Sequence, residues 1–271
     1  MKIDKVITSC DSHKDYASFA AFTTYAWKVL GVDVQLNVVG NVFTPEQLKS
    51  IGQNCEIVEY PEVAGTYTGV IGKITRIISA AEDNNLDKNV MMADIDMVPL
   101  SAAPLKSYAK AGEDHLCKFG FEHPAFQQPP DIGKWPMHGT AGKGSTFREI
   151  VNPENLPFVD LVSYLARKNF TDKRATVTNH PSAFSDESLM HMLASEWDGR
   201  WSRCCSIRRE EAGKFKQHPS GGYTVYGRVC RAKWPSVNGV NLDDYFEIHG
   251  PRPFTEEWYK PVIQYLKELG L

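Results

Sequence analysis

Val90-Met91-Met92-Ala93-Asp94-Ile95-Asp96-Met97-Val98-Pro99-Leu100 is an apolar stretch that two carboxylates interrupt. Its first four residues are typical of a buried strand, and the two acids follow directly. Burying two carboxylates is costly unless a positive charge lies between them. Side chains at positions i and i+2 of an extended segment point the same way, so Asp94 and Asp96 are predicted to converge on one cation.

The composition is that of an ordinary globular protein. The chain has 271 residues, enough for a large core in one large domain or two small ones. Hydrophobic residues make up 42% and charged residues 23%, which is typical of folded proteins. A formal net charge of −3 gives no general attraction to nucleic acids or anionic membranes, so neither is expected as a partner.

The sequence predicts a soluble protein of a reducing, cytoplasmic compartment. Residues 1–5 lead straight into a strand-like segment without the apolar region of a signal peptide. Apolar runs stay well short of the ~18 residues that a membrane span requires. The six cysteines show no Cys-x-x-Cys spacing, which favours buried free thiols over a zinc or redox motif.

Strands and helices alternate through the first hundred residues. Apolar runs predict strands at residues 5–10, 32–39, 55–60 and 89–93. Helices are predicted at residues 15–30 and 70–81, and a capping box at residue 44 predicts the start of a short helix between them. This order favours a mostly parallel α/β sheet with flanking helices. Ligands bind such sheets at the carboxyl ends of the strands, where Thr8-Ser9-Cys10 and Asp94-Ile95-Asp96 both lie.

The rest of the chain is less regular. Strands are predicted at residues 115–121, 204–208, 223–231 and 245–248, and helices at 158–167, 185–197 and 255–269. A tight turn is predicted at Asn238-Gly239. Residues 126–144 form a Pro/Gly-rich loop of a length that is usually functional. Because no repeat or linker is evident, one α/β domain over residues 1–271 is the simplest organisation.

Basic side chains accompany the two aspartates. Lys73 and Arg76 lie three residues apart on one face of the predicted helix at 70–81, near the ligand-binding edge. A guanidinium group binds phosphate through two parallel hydrogen bonds, so Arg76 is the favoured phosphate ligand. A solvated basic face is the competing interpretation.

The two carboxylates suit a hard divalent cation, Mg²⁺ or Mn²⁺. His249 ends the last predicted strand, before Gly250-Pro251-Arg252-Pro253. An imidazole added to two carboxylates favours Mn²⁺, although a lone histidine is often structural. The sequence contains no P-loop and no dinucleotide-binding glycine motif. A haloacid-dehalogenase phosphatase also uses Asp-x-Asp, but it places that motif after its first strand.

The pattern resembles the GT-A class of nucleotide-sugar-dependent glycosyltransferases, whose Asp-x-Asp follows a strand about a hundred residues into the chain. The segment from His249 to Pro253 is similar to the His-x-x-Gly-x-x-Lys-Pro-Trp segment of the retaining galactosyltransferase and glycogenin-like families. Here the glycine follows His249 directly, and Arg252 stands in place of the lysine. The resemblance implies a Rossmann-like GT-A fold, with a nucleotide-binding half at residues 1–100 and an irregular acceptor-side half at residues 101–271.

The resemblance also implies roles for individual residues. The Mn²⁺ ion, or Mg²⁺ in its place, would be held by Asp94, Asp96 and His249. The nucleotide sugar would be bound by the strand ends, the basic helix and the loop, through Thr8, Ser9, Cys10, Lys73, Arg76, Asp94, Ile95, His138 and Gly139. The acidic pair Asp186-Glu187 would face the sugar, although acids in a first helical turn are also ordinary capping residues. Arg252 would stabilise the leaving diphosphate.

The implied activity is transfer of a sugar from a UDP-sugar to the hydroxyl of a glycan or other acceptor, with retention. If the enzyme inverts instead, Asp186 or Glu187 could serve as the base. Two alternatives remain: another metal-dependent phosphoryl or nucleotidyl transferase or phosphatase using Asp94 and Asp96, and a non-catalytic nucleotide-sugar-binding protein. A monomer or a small homo-oligomer is expected.

Overall fold

The computed structural model describes residues 1–120, 135–171, 185–198, 202–220, 223–230 and 239–270. The strands are β1 (Lys5–Cys10), β2 (Asp33–Val39), β3 (Glu56–Tyr60), β4 (Asn89–Met92), β5 (Met97–Pro99), β6 (Leu116–Phe119), β7 (Thr140–Lys143), β8 (Cys204–Ile207), β9 (Gln217–Ser220), β10 (Tyr223–Tyr226), β11 (Arg228–Cys230) and β12 (Glu247–His249). The α-helices are α1 (Lys14–Ala17), α2 (Ala20–Val29), α3 (Pro45–Ile51), α4 (Thr68–Ala80), α5 (Ala103–Lys106), α6 (Gly144–Val151), α7 (Phe158–Thr171), α8 (Ser185–Trp197) and α9 (Glu256–Leu269).

The predicted α/β fold is confirmed. Within the described residues, the main sheet has seven strands in the order β3-β2-β1-β4-β7-β6-β8. The strands β3, β2, β1 and β4 are parallel, as the alternation in the first hundred residues predicts. The register pairs Ile7 of β1 with Met92 of β4, so the carboxyl ends of these two strands lie side by side. This edge therefore carries both Thr8-Ser9-Cys10 and Asp94-Ile95-Asp96.

The far half of the sheet is mixed rather than parallel. Strand β7 runs antiparallel to β4 and to β6, whereas β8 runs parallel to β6. Strand β7 and helix α6 lie in or directly after the stretch that we predicted as a loop, so that prediction is wrong for residues 140–144. The Thr-Ala-Gly-Lys sequence of β7 carries too few bulky apolar residues to indicate a strand, and tertiary contact with β4 determines its conformation.

A second sheet of three strands, which was not predicted from the sequence, lies next to the Asp94-Ile95-Asp96 segment. Its order is β11-β12-β5, with β12 antiparallel to β5. The single strand predicted at residues 223–231 is two strands, because Gly227 between them has a φ of +68°. Strand β5 immediately follows Asp96, so its pairing with β12 brings the end of the chain to the carboxyl edge of β4.

The helices follow the predictions closely in the first half. The capping box at Thr44 is confirmed, since Thr44 and Gln47 exchange hydrogen bonds at the start of α3. The helix predicted at residues 15–30 is two helices, α1 and α2, with a break at Ser18. The Ser18 hydroxyl accepts the N–H of Phe254 at 2.9 Å, which ties this break to the segment before α9.

Apolar side chains fill both sides of the main sheet. Helix α4 packs on one face with α6, α7 and α8, and α2 packs with α9 on the other. No helix in the described ranges is both long enough and apolar enough to cross a membrane. Residues 121–134, which include part of the predicted loop, and Asn238 of the predicted turn lie outside the described residues.

Candidate functional site

The Asp94-Ile95-Asp96 segment is a turn and not an extended continuation of β4. Strand β4 ends at Met92, and the N–H of Met97 donates to the carbonyl of Asp94 at 3.2 Å. Because the chain turns here, the two aspartates do not follow the i, i+2 geometry that we expected of an extended segment. Each carboxylate takes its own set of basic partners.

Asp94 is an ionised carboxylate that accepts a hydrogen bond from a basic side chain. Its Oδ1 accepts from Nη1 of Arg76, and 32% of its side-chain surface remains exposed. Burial raises the pKa of Asp94, but Arg76 outweighs burial and the nearby Asp96, so the pKa lies below its ordinary value. Asp94 therefore carries a negative charge at neutral pH.

Arg76 joins two carboxylates from distant parts of the chain. It is 7% exposed, and its Nη2 donates to Oδ2 of Asp186 at 2.6 Å while Nη1 serves Asp94. Burial acts to lower the pKa of Arg76, yet the two carboxylates raise it above its ordinary value. The interpretation of Arg76 as part of a solvated face is wrong, because the side chain is buried and its terminal nitrogens bind carboxylates. Its contact with the phosphate or sugar of a donor stays a prediction. Lys73, one turn earlier on α4, is half-buried.

The first turn of α8 brings Asp186 to Arg76, and the contact of Asp186 and Glu187 with a sugar stays a prediction. Asp186 is 3% exposed and bound to Arg76. The carbonyl of Glu187 accepts the N–H of Trp135 at 3.1 Å, which ties α8 to the segment that leads into β7. The acidic first turn of α8 therefore does more than cap its own helix, because Asp186 is bound to a residue of α4.

Asp96 contacts two residues that were predicted at the site, His249 and Arg252. Its Oδ2 lies 3.1 Å from Nε2 of His249 and 3.1 Å from Nε of Arg252. The pairing of β12 with β5 places His249 opposite Met97, which explains this approach. The guanidinium of Arg252 also lies 4.8 Å from the centre of the Tyr16 ring and hydrogen-bonds its hydroxyl. Tyr16 was not predicted as a site residue.

His138 lies at the site, but both of its ring nitrogens are engaged by the protein. Nδ1 lies 3.1 Å from the main-chain N of Asp94, and Nε2 lies 2.8 Å from Oε2 of Glu247. Gly139 follows with a φ of +82°, and a Cβ there would come within 2.7 Å of the Phe119 Cβ. The His138 ring therefore contacts Asp94 and Glu247, and the lining of a sugar or acceptor pocket by His138 and Gly139 stays a prediction.

Glu247 is a buried carboxylate that sequence analysis missed. Its Oε1 accepts from Nη2 of Arg209 and, at 2.5 Å, from Nε of Arg228. Burial raises the pKa of Glu247, but Arg209, Arg228 and His138 together hold it well below its ordinary value. A single glutamate in a short strand gives no sign of this role, because its basic partners come from other segments.

We expect Glu247→Gln to lower the free energy of unfolding at pH 7 by about 1–3 kcal/mol, since hydrogen bonds to a charged group are lost or weakened. The folded pKa lies below the unfolded value of about 4.3. The stabilisation is thus present above that value and is lost as pH falls towards the folded pKa. Urea unfolding at pH 7 and pH 4 measures both effects, and a difference between variant and wild type that grows at pH 4 would contradict the assignment.

The end of β1 supplies small and polar side chains. Thr8 is fully buried, and its hydroxyl has no hydrogen-bond partner among the described residues. Cys10 is also buried, and burial raises the pKa of its thiol, so it stays protonated. Asp11, which we did not predict, is buried against α4, where its Cβ lies 3.3 Å from the place that a Cβ on Gly72 would take.

The donor set of Asp94, Asp96 and His249 fits Mn²⁺ or Mg²⁺ by its chemistry, with two carboxylates and an imidazole. Asp96 and His249 already touch. The described residues nevertheless contain no group of three Asp, Glu, His or Cys side chains arranged to hold a metal ion. A bound ion would therefore have to share Asp94 with Arg76 and Asp96 with Arg252.

No family model and no curated protein matches this sequence. Its fold is similar to that of the galactosyltransferase LgtC, solved in complex with donor and acceptor sugar analogs, with a TM-score of 0.51, 11% identity, and coverage of 98% of this chain and 95% of that chain. It is also similar to the glycosyltransferase GlyE of Streptococcus pneumoniae TIGR4, with a TM-score of 0.52, 11% identity, and coverage of 99% of this chain and 63% of that chain. The chain thus spans less than two thirds of GlyE. At this identity the likeness concerns the fold alone, and the chain has the GT-A-like α/β fold of these glycosyltransferases.

Proposed function

We propose that this protein is a glycosyltransferase that transfers a sugar from a nucleotide-diphosphate sugar, a UDP-sugar, to an acceptor hydroxyl. One observation carries the proposal: separate segments bring Arg76, Asp94, Asp96, Asp186 and His249 to the carboxyl edge of a GT-A-like sheet. Ligands bind α/β sheets at this edge. Two acids each paired with a cation suit a site that binds a metal ion and a diphosphate.

The metal ion is Mn²⁺, with Mg²⁺ as the alternative, and its ligands are Asp94, Asp96 and His249. When bound, such an ion neutralises charge that develops on the leaving diphosphate. The protein's own contribution to that task is Arg252, which now lies 3.1 Å from Asp96. A guanidinium released from Asp96 would be free to bind diphosphate oxygens through two hydrogen bonds.

The nucleoside lies at the end of β1 in this proposal. Thr8, Ser9 and Cys10 form the floor, and the buried Thr8 hydroxyl lacks a partner among the described residues. A buried hydroxyl without a partner is costly, so a ligand atom or water at this position would stabilise it. Lys73 of α4 and Ile95 of the turn after β4 contact the nucleotide sugar in this proposal.

The sugar lies towards α8, and transfer proceeds with retention. An inverting enzyme needs a carboxylate base that reaches the acceptor hydroxyl. Asp186 is poorly suited to that task because it is 3% exposed and bound to Arg76. Its position favours holding the donor side of the site, and Glu187 beside it is the other carboxylate of the pair. The acceptor is a glycan or another hydroxyl compound.

Screening UDP-, GDP- and CMP-sugars for turnover with and without Mn²⁺ tests this function. We expect release of UDP from a UDP-sugar, and only with the metal present. Release of inorganic phosphate or pyrophosphate would select the phosphatase or nucleotidyltransferase alternative. Nucleotide-sugar binding without turnover, unaffected by Asp96→Ala, would select the non-catalytic binding protein.

A further inference from the structure

His138 has a defined protonation pattern. A main-chain N–H can only donate, so Nδ1 of His138 accepts from Asp94, and the ring proton lies on Nε2. That proton is donated to Glu247 across 2.8 Å. The His138 side chain is 11% exposed. The ring is therefore held at both nitrogens, by a main-chain group of the Asp94 turn and by a side chain of β12.

Glu247 is itself fixed in place. Arg209 and Arg228 bind its Oε1, which leaves Oε2 to accept from His138. Arg209 is further held by the carbonyl of Tyr226 at 2.8 Å. A carboxylate anchored by two guanidinium groups has little freedom to move. The position of the His138 ring is therefore determined by the position of Glu247 in β12.

Strand β12 also holds the Asp94-Ile95-Asp96 turn at Asp96. Residues at positions i and i+2 of a strand share a face, and β12 presents Glu247 and His249 in this way. His249 contacts the carboxylate of Asp96, two residues after Asp94. Strand β12 thus restrains both aspartates of the turn, one directly through His249 and the other through His138.

We propose that His138 is a positioning residue whose ring fixes the main-chain N–H of Asp94 against Glu247. It holds the turn in the observed conformation, in which Asp94 contacts Arg76 and Asp96 contacts His249, and does not itself contact the reacting atoms. The consequence for metal and nucleotide binding rests on the function proposed above, whereas the effect on Asp94 does not.

The first test uses the ligand-free protein. Amide hydrogen exchange at Asp94 is compared among wild type, His138→Phe and His138→Gln. The phenylalanine keeps a ring without hydrogen-bonding nitrogens, and the glutamine amide carries an accepting oxygen and a donating NH₂ group. We expect exchange at Asp94 to be at least about tenfold faster in His138→Phe and close to wild type in His138→Gln. His115→Phe is the control, because His115 precedes β6 at the opposite edge of the sheet.

The second test measures the Mn²⁺ concentration that gives half of the UDP-dependent rise in melting temperature. We expect this Mn²⁺ concentration to rise by about 10–100-fold in His138→Phe, as for other residues that orient metal ligands. In His138→Gln we expect it to be close to that of wild type. Unchanged exchange at Asp94 in His138→Phe would overturn the proposal. Faster exchange with an unchanged Mn²⁺ requirement would also overturn it, because the role would then be structural only. A wild type without any response to UDP and Mn²⁺ contradicts the proposed function instead, and the exchange comparison then decides the effect on Asp94.

Discussion

Arg76→Ala is expected to lower the free energy of unfolding by roughly 3–5 kcal/mol, the usual loss when one partner of a buried ion pair is removed. Arg76 is 7% exposed and is bound by Asp94 and Asp186. Its removal leaves Asp186, which is 3% exposed, as a buried charge without this cation. The effect is large because the penalty comes from desolvated carboxylates and not merely from a lost contact.

Urea unfolding at pH 7 measures this loss, with two variants for comparison. Arg76→Lys keeps the charge but lacks the forked guanidinium that reaches both acids, so we expect an intermediate loss. Lys110→Ala breaks a surface pair whose side chains are 42% and 36% exposed, and such pairs contribute about 0–1 kcal/mol. A loss for Arg76→Ala no greater than that for Lys110→Ala would contradict the buried bridge.

Asp96→Asn is expected to lower kcat/KM for the nucleotide sugar by at least about 100-fold. Replacing a residue that contacts a metal ligand, and not the metal itself, already lowers metal affinity or activity by about 10–100-fold. Asparagine keeps the size of the side chain and an acceptor for Arg252 and His249, so the melting temperature should change far less than the activity. Asp83→Asn is the matched control, because Asp83 is 87% exposed and pairs with Arg148 at the surface. Activity within about tenfold of wild type would exclude Asp96 as a metal ligand.

The sequence predicts the first half of the fold well for a physical reason. Strands β1 to β4 are apolar runs separated by helices with regular spacing, and each crossover is local in the chain. The carboxyl edge follows from this order, which places the end of β1 beside the end of β4 without further information. The capping box at Thr44 is equally local, because its two hydrogen bonds join residues three apart.

The second sheet could not be predicted because its strands are short and distant in sequence. Strands β5 and β12 have three residues each, too few to show an alternating pattern. Asp96 and His249 are 153 residues apart, so no local signal joins them. Only the resemblance to a known class of enzymes suggested that they belong to one site.

The buried ion pairs were missed for a different reason. A charged residue in a sequence is assigned to the surface by default, and Arg76 and Glu247 each depend on partners more than fifteen residues away. Arg76 was therefore interpreted as a phosphate ligand or a solvated residue, and Glu247 was not considered. Their roles follow from burial and geometry, which composition and spacing do not encode.

The central claim is that Asp94, Asp96 and His249 bind a divalent cation together with a nucleotide diphosphate. The most direct test is the melting temperature of the wild-type protein with UDP, measured with Mn²⁺ and again with a chelator. Binding to the native state at about 100 times Kd adds about 2.7 kcal/mol, which corresponds to a rise of roughly 5 °C or more. We predict this rise with Mn²⁺ present and its loss with the chelator or in Asp96→Asn. No rise with UDP and Mn²⁺, or an equal rise with the chelator, would contradict the claim.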